Sequence, residues 1–278
     1  MSTTTPADRL ADVLRGIGPV VVAFSGGADS AYLAWTATRV LGRRQVLCAT
    51  AVSASLADDD RRHCEALAGR WGLRWQPVTT DELDDPRYRA NGVDRCYHCK
   101  TSLLAALGPL AAAEGAAVVL GVNTDDLGDH RPGQRAAAEA GARFPLVEAG
   151  LDKAAVRAWS RRAGLETWDR PAAPCLASRV PYGTPVTLGT LGAVGRAEAA
   201  LRSLGFGDVR VRHYGELARV EVPEAELARC VGQRRAVVAA VQAAGYRYVT
   251  LDLQGLRSGN LNEAAGVALP GPREVPWR

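Results

Sequence analysis

Apolar residues in this chain come in two rhythms. The runs 20–24 (VVVAF), 45–52 (QVLCATAV) and 116–122 (AAVVLGV) are short and apolar on both faces, as strands covered on both sides of a sheet are. Between them lie stretches with helical spacing: DSAYLAWTATRVLG after the first, DDDRRHCEALAGRWG after the second, and a run from DRCYHC to about residue 113 before the third. LRWQPVTT reads as a further strand, QRAAAEAG and DKAAVRAWSRRAG as helices, and RFPLVEA as a short extended segment. Strands alternating with helices imply an α/β architecture, a parallel sheet with helices on both faces.

The rhythm changes after the Pro-rich stretch RPAAPCLASRVPYGTP, residues 170–185. A helix pattern covers about 188–204, DVRVRHYG and LARVEVP read as a hairpin, a second helix covers about 224–244, and YRYVTLDL closes as a strand. The expected divisions are 1–170 for the parallel-sheet domain, 171–186 for a Pro-rich linker, 187–266 for a smaller α+β domain and 267–278 for a flexible tail.

Composition is that of a soluble globular chain, with 47% hydrophobic and 23% charged residues, and the net charge of +4 neither demands nor excludes nucleic acid. The opening MSTTTPADRLADVL has no basic stretch leading into an apolar one, and no apolar run approaches the roughly 18 residues of a membrane helix. A cytoplasmic protein with no membrane partner is therefore expected. Lys100 and Lys153 are its two lysines, and the other basic residues are arginine. Beside so much alanine this is a compositional bias, so abundant arginine does not by itself mark a phosphate-binding surface. The rarity singles out Lys100, directly after Cys99, because a compact ammonium does not replace a guanidinium.

The clearest chemistry lies in VVVAFSGGADSAYLAW. Ser25, Gly26, Gly27, Asp29 and Ser30 stand between an apolar run and a helix start. Glycines let backbone N–H groups approach a ligand, and the helix N-terminus adds the positive end of its dipole, which together make an anion cradle. Neither a Walker lysine nor GxGxxG is present. The string SGGADS matches the SGGxDS loop of the ATP pyrophosphatase (PP-loop) superfamily. In this strand–helix setting it resembles GMP, NAD and asparagine synthetases and tRNA thiolases, which split ATP between the α and β phosphates. That resemblance implies an adenine nucleotide alpha hydrolase-like fold and an adenylating enzyme using ATP and Mg²⁺. SASLADDD and NTDDLGDHRPG also follow apolar runs, so they should face the same crevice at the carboxyl edge of the sheet. Asp125, Asp126 and Asp129 are candidates for a Mg²⁺ or ribose contact, against the plainer reading of a solvated acidic loop.

Six cysteines are present, at 48, 64, 96, 99, 175 and 230. Stable disulfides are not expected in the cytoplasm. Cys48, Cys64 and Cys230 lie in strand or helix patterns and read as core residues. Cys96 and Cys99, in DRCYHCK, lie at the start of a helix, and Cys175 lies between prolines. A structural zinc site takes four protein ligands, and His98 is poorly placed to join its neighbour Cys99 on one ion. Three thiolates with one open position suit a four-iron four-sulfur cluster.

Taken together, FSGGADS, DRCYHCK, GVNTDDLGDHRPG, PCLASRVPYG, VRVRHYGELARVEV and VTLDLQGLRSGNLNE resemble the LarE family over about residues 10–264. Those are ATP-dependent sulfur transferases of nickel-pincer nucleotide biosynthesis. The resemblance implies a small-molecule substrate, a pyridinium mononucleotide whose two carboxylates become thiocarboxylates, and by analogy a homo-oligomer. One form of the family holds a cluster on three cysteines, and its extra sulfide is the donor. In the other, the cysteine matching Cys175 gives up its own sulfur. Cys96, Cys99 and Cys175 favour the first form, with the sacrificial form as rival. Arg210 and Arg212 alternate with valines on a strand and so share one face. The resemblance implies substrate binding by Arg212, Ser178 and Arg179, with Arg210 and Lys100 as further candidates. A tRNA thiolase of the same superfamily and a non-catalytic nucleotide- or metal-binding protein are the other readings. The first would call for a basic nucleic-acid surface, which the sequence does not display.

Overall fold

The computed structural model describes residues 5–128, 132–171 and 173–257. They divide into two compact units, one made of the chain up to Glu82 together with Asp94–Ala173, the other of Leu83–Val93 together with the chain from Pro174 onward. Asp129 and the expected tail lie outside the described residues.

The first unit opens with helix α1 (Pro6–Ile17), started by a reciprocal cap in which Thr5 Oγ1 accepts from Asp8 N–H and the Asp8 carboxylate accepts from Thr5 N–H. Strand β1 (Val20–Ala23), helix α2 (Ala28–Leu41), strand β2 (Val46–Val52), helix α3 (Asp58–Arg70) and strand β3 (Trp75–Thr79) follow. A short helix α4 (Pro86–Arg89) belongs to the other unit. The chain then returns with α5 (Arg95–Glu114), β4 (Ala117–Leu120), α6 (Pro132–Glu139), α7 (Pro145–Glu148) and α8 (Lys153–Arg162).

The four strands are parallel, in the order β3-β2-β1-β4. Strand alternation divides the core. Val20 and Val22 pack on one face with Leu10, Leu33, Leu67 and Val156, while Val21 and Leu47 pack on the other with Leu107 and Ala111. Helices therefore cover both faces, which is why these strands carry no polar alternation. The chain winds outward from β1 to β3, then crosses to the opposite side of β1 for β4. In open α/β sheets such a reversal leaves a crevice outside the carboxyl ends of the two strands, here β1 and β4.

The segment RFPLVEA departs from its expected extended form. Arg143 makes a single bridge to Val119, and Pro145 then starts a helical turn. Proline is suited to the first helical position because its missing N–H would have no partner there.

In the second unit, α9 (Leu188–Ser203) precedes antiparallel strands β5 (Arg210–Tyr214) and β6 (Leu217–Glu221), joined through Gly215 with φ +65°. Helices α10 (Leu227–Gly232) and α11 (Arg234–Ala243) lead to β7 (Tyr248–Leu251), which runs parallel to β6. The single helix expected over 224–244 is broken at Gln233, whose backbone (φ −94°, ψ 15°) leaves the helical region just after Gly232. Leu201, Phe206, Val211, Val220 and Val241 form the core. Among the described residues no helix is long and apolar enough to cross a membrane.

Asn91 ties the 83–93 segment into this unit. It is buried at φ +56°, and its side-chain amide donates to the Pro181 and Thr184 carbonyls, each at 2.8 Å. Its own carbonyl accepts from Gly183 N–H at 3.0 Å, and Val186 N–H donates to the Arg89 carbonyl at 2.9 Å. Asn91→Asp keeps the shape but sets a carboxylate against carbonyl oxygens. It should destabilise the fold by about 2 kcal/mol or more, read as a lowered denaturation midpoint.

Candidate functional site

The SGGADS loop lies at the sheet's reversal. Phe24 still bonds to β2, its N–H donating to the Ala49 carbonyl at 2.8 Å. Ser25 is then exposed, Gly26 is buried, and α2 begins after Gly27. Gly26 has φ +68°, and a Cβ there would lie 2.9 Å from His63 Cδ2 and 3.0 Å from Cys64 Sγ, so only glycine suits the position. Just past β4, a Cβ on Gly121 would lie 2.7 Å from the Ser30 nitrogen and 2.8 Å from its Cα. The end of β4 thus packs directly on the first turn of α2. Ser30 Oγ knits the loop together: it accepts from Ser25 N–H at 3.2 Å, donates to the Gly27 carbonyl at 3.2 Å and lies 3.0 Å from Ser25 Oγ. No side chain caps α2, so its first N–H groups and the positive end of its dipole open onto the loop.

Asp29 belongs to that first turn. Its Oδ1 is buried without a hydrogen-bond partner. Burial pushes the carboxyl above its ordinary range, a hydrogen bond from Asn123 opposes the shift, nearby Asp126 adds to it, and Lys153 and Arg157 work against it. An unpartnered carboxylate oxygen suits a hard, oxygen-seeking cation such as Mg²⁺. Asn123 also shapes the acidic loop, since its Oδ1 accepts from Asp125 N–H at 3.0 Å and Asp126 N–H at 3.3 Å. The Asp125 carboxylate accepts from Lys153 N–H at 3.0 Å, at the start of α8, so one of its oxygens serves the fold. Asp126 accepts from Asn123 N–H at 3.2 Å.

Cys96, Cys99 and Lys100 lie on the first turns of α5. Three-residue spacing puts the two thiols on neighbouring positions of one helix face. Cys96 is exposed and Cys99 half-buried. Helix α6 packs close by, and a Cβ on Gly133 would lie 3.0 Å from the Cys96 carbonyl and 3.6 Å from Lys100 Cβ. His98 is buried, its Nε2 3.3 Å from Asp94 Oδ2, which engages it away from the thiols. Two thiols at a helix start suit a soft metal or cluster in kind. Among the described residues of this unit no third His, Cys, Asp or Glu joins them in a metal-binding group. Cys48, Cys64 and Cys230 are buried, and burial pushes the Cys48 thiol up to about 12.

Cys175, half-buried, belongs to the second unit, where it precedes a turn of 3₁₀ helix, Leu176–Arg179. Arg179 holds this turn. Its Nη1 donates to the Pro174 carbonyl at 2.6 Å and to Ser178 Oγ at 2.9 Å. On the other side, its Nε and Nη2 meet the two oxygens of Glu198 at 2.8 and 3.1 Å. Glu198 also accepts from Arg202 at 3.0 Å and Val211 N–H at 3.1 Å. Arg212 donates to Glu221 at 2.9 Å and to the Ser178 carbonyl at 2.9 Å. Arg179 and Arg212 are both buried, and their guanidiniums are first of all ion-pair partners. Arg210 is half-buried, its Nη1 donating to the Arg257 carbonyl at 3.3 Å. Burial and then the charges of Arg179 and Arg212 lower its pKa. Cys175, Ser178, Arg179, Arg210 and Arg212 thus gather around one turn and one strand.

Sequence patterns alone do not single out His63, Gly121, Asn123, Glu198 or Glu221. The one local signal is the string Gly-Val-Asn-Thr-Asp-Asp at the end of an apolar run, which points at Gly121 and Asn123.

No protein-family model matches the chain. It is 40% identical over 260 residues, 93% of this chain and 94% of the relative, to a Lactiplantibacillus plantarum protein named pyridinium-3,5-bisthiocarboxylic acid mononucleotide synthase. It is 46% identical over 245 residues to an uncharacterized protein of Synechocystis sp., covering 87% of this chain and 91% of that one. An uncharacterized protein of Methanocaldococcus jannaschii is 24% identical over 240 residues, 86% of this chain and 91% of its own length.

The raised pKa of Asp29 has a stability consequence. The folded chain keeps this proton to higher pH than the unfolded chain, so stability falls as pH rises from the ordinary value of 3.8 through the raised one. Asp29→Asn removes that loss. The variant should melt above wild type at neutral pH, and the gap should close below about pH 4, as thermal scans across pH would read.

Proposed function

The chain belongs to the LarE family, and on that footing we propose that it is an ATP-dependent, AMP-forming sulfur transferase acting on a pyridinium dicarboxylate mononucleotide. The observation that carries the reading is the glycine loop at the sheet's reversal, with the unpartnered Asp29 oxygen in its first helical turn. The substrate class comes from the name of the Lactiplantibacillus relative.

A carboxylate is a poor electrophile. Its oxygen attacks the α phosphorus of ATP, pyrophosphate leaves, and an acyl adenylate forms. A sulfur nucleophile then attacks the acyl carbon, AMP departs with the bonding electron pair, and a thiocarboxylate remains. The open N–H groups at the start of α2, that of Gly27 among them, would take the charge of the departing pyrophosphate. Asp29, with Asp126 nearby, is the group that would hold Mg²⁺, which when bound neutralises phosphate charge. Arg210 and Ser178 are suited to the substrate phosphate and carboxylates, and Arg179 and Arg212 hold the turn and strand that carry them. Lys100 offers a compact cation for the same anions.

Cys96, Cys99 and Cys175 are the residues that would hold a four-iron four-sulfur cluster, which when bound supplies a terminal sulfide as donor. The second reading keeps the adenylation and makes Cys175 itself the donor. Its Sγ attacks the acyl carbon, AMP leaves, the Cα proton is removed, and the Cβ–Sγ bond breaks to leave dehydroalanine. The half-exposed position of Cys175 beside Ser178 and Arg179 suits either reading.

Wild-type protein should release AMP from ATP only when the dicarboxylate nucleotide is supplied, and tRNA should not replace it. Asp29→Ala should abolish AMP release with an unchanged circular dichroism spectrum. Normal AMP release by a folded Asp29→Ala variant would refute the assignment of the loop. After anaerobic reconstitution, wild type should hold about four irons per chain. Cys96→Ala and Cys99→Ala should lose them while still releasing AMP. Iron-free wild type whose Cys175 loses its sulfur in one turnover would replace the cluster reading with the sacrificial one.

A further inference from the structure

The peptide groups of the glycine loop have a direction, and a side chain outside the loop is placed to set it. His63, on α3, brings its Nε2 within 3.2 Å of the Gly26 carbonyl oxygen. A carbonyl oxygen can only accept, so Nε2 carries the proton. Burial, and after it the positive charge of Arg170, lowers the pKa of this ring below the ordinary histidine value, which favours the neutral ring at neutral pH. Arg170 is held by Asp60, one turn earlier on α3, at 2.8 Å. The ring also occupies the space behind Gly26, its Cδ2 lying 2.9 Å from where a Cβ would be.

Every peptide bond described here is trans, so the C=O and N–H of one peptide point in opposite directions. With the Gly26 carbonyl drawn back against α3, the Gly27 N–H of the same peptide points to the other, open side of the loop. There it donates to no protein atom among the described residues. The flipped peptide would instead put a carbonyl oxygen where an anion has to sit. Two successive glycines offer little steric resistance to such a flip, so the loop's own sequence does not select its polarity.

We infer that His63 is a positioning residue: its bond to the Gly26 carbonyl fixes the Gly26–Gly27 peptide with the N–H outward, which makes the loop an acceptor for the pyrophosphate end of a nucleotide. The inference rests on the reading of this loop as the nucleotide site. It adds to that reading a donor from a different element, on which the anion affinity of the loop depends.

The test compares wild type, His63→Gln and His63→Leu by calorimetric titration with inorganic pyrophosphate and, separately, with adenosine, both with Mg²⁺ present. Glutamine keeps an N–H donor of similar reach, and leucine has none. His63→Leu should lose about tenfold or more in pyrophosphate affinity, His63→Gln should stay within about threefold of wild type, and adenosine should bind all three alike. Should His63→Leu fail to fold, His63→Met carries the same comparison. Equal pyrophosphate affinity in wild type and the donorless variant would overturn the inference. So would a matching loss of adenosine binding, which marks a general distortion, or a failure of His63→Gln to restore affinity. Wild type that binds neither probe would overturn the nucleotide-site reading itself, and the inference would fall with it.

Discussion

Backbone N–H groups can hold an anion only where no side chain and no carbonyl stands in the way. That constraint governs the first unit. The loop after β1 needs a residue without Cβ, because Gly26 adopts a positive φ against His63 and Cys64. The loop after β4 needs the same at Gly121, because the first turn of α2 lies directly over it. The parallel sheet supplies the rest. Its winding reverses between β1 and β4, so both strands deliver their glycine-bearing loops to one edge. Asp29 and Asn123 are brought together there by two segments far apart in sequence. The arrangement has a cost, since an oxygen of Asp29 is buried with nothing to bond. Strain and desolvation of this kind are retained where a ligand supplies the missing partner.

A different constraint governs the second unit. Glu198 and Glu221 have no exposed surface, and a buried carboxylate without a partner costs several kcal/mol. Each is shared between two guanidiniums, Glu198 between Arg179 and Arg202 and Glu221 between Arg212 and Arg219. Arg212 and Arg219 stand directly opposite in the β5–β6 register, a like-charge pair that would be unfavourable alone. Glu221 takes one through each of its oxygens. The turn carrying Ser178 is fixed through the same network, by Arg179 from one side and by the Arg212 bond to the Ser178 carbonyl from the other. An arginine-rich strand is here first a means of charge balance. The excess of arginine over glutamate that remains around Arg210 is what an anionic substrate would meet.

The sequence by itself determined the α/β class, the loop and the hairpin. β1, β2 and β4 are apolar on both faces because helices cover both sides of the sheet, and that pattern is local. The SGGADS string sits between an apolar run and a helix because backbone conformation and helix dipole act within a few residues. Other features were decided only by tertiary structure. RFPLVEA has strand-like apolar residues, but only Arg143 reaches the sheet before Pro145 turns the chain into a helix. The 83–93 segment joins the C-terminal unit because Asn91 finds three carbonyls some ninety residues away, Val180, Pro181 and Thr184. His63 reads as one more polar residue on a helix until α3 is laid behind Gly26. Arg179 and Arg212 read as free cations until Glu198 and Glu221 are seen to be buried beside them. The division follows from range. Steric and hydrogen-bonding preferences of neighbouring residues are written in the local sequence, whereas the partner of a buried charge or of an exposed peptide group is fixed only when distant segments pack together.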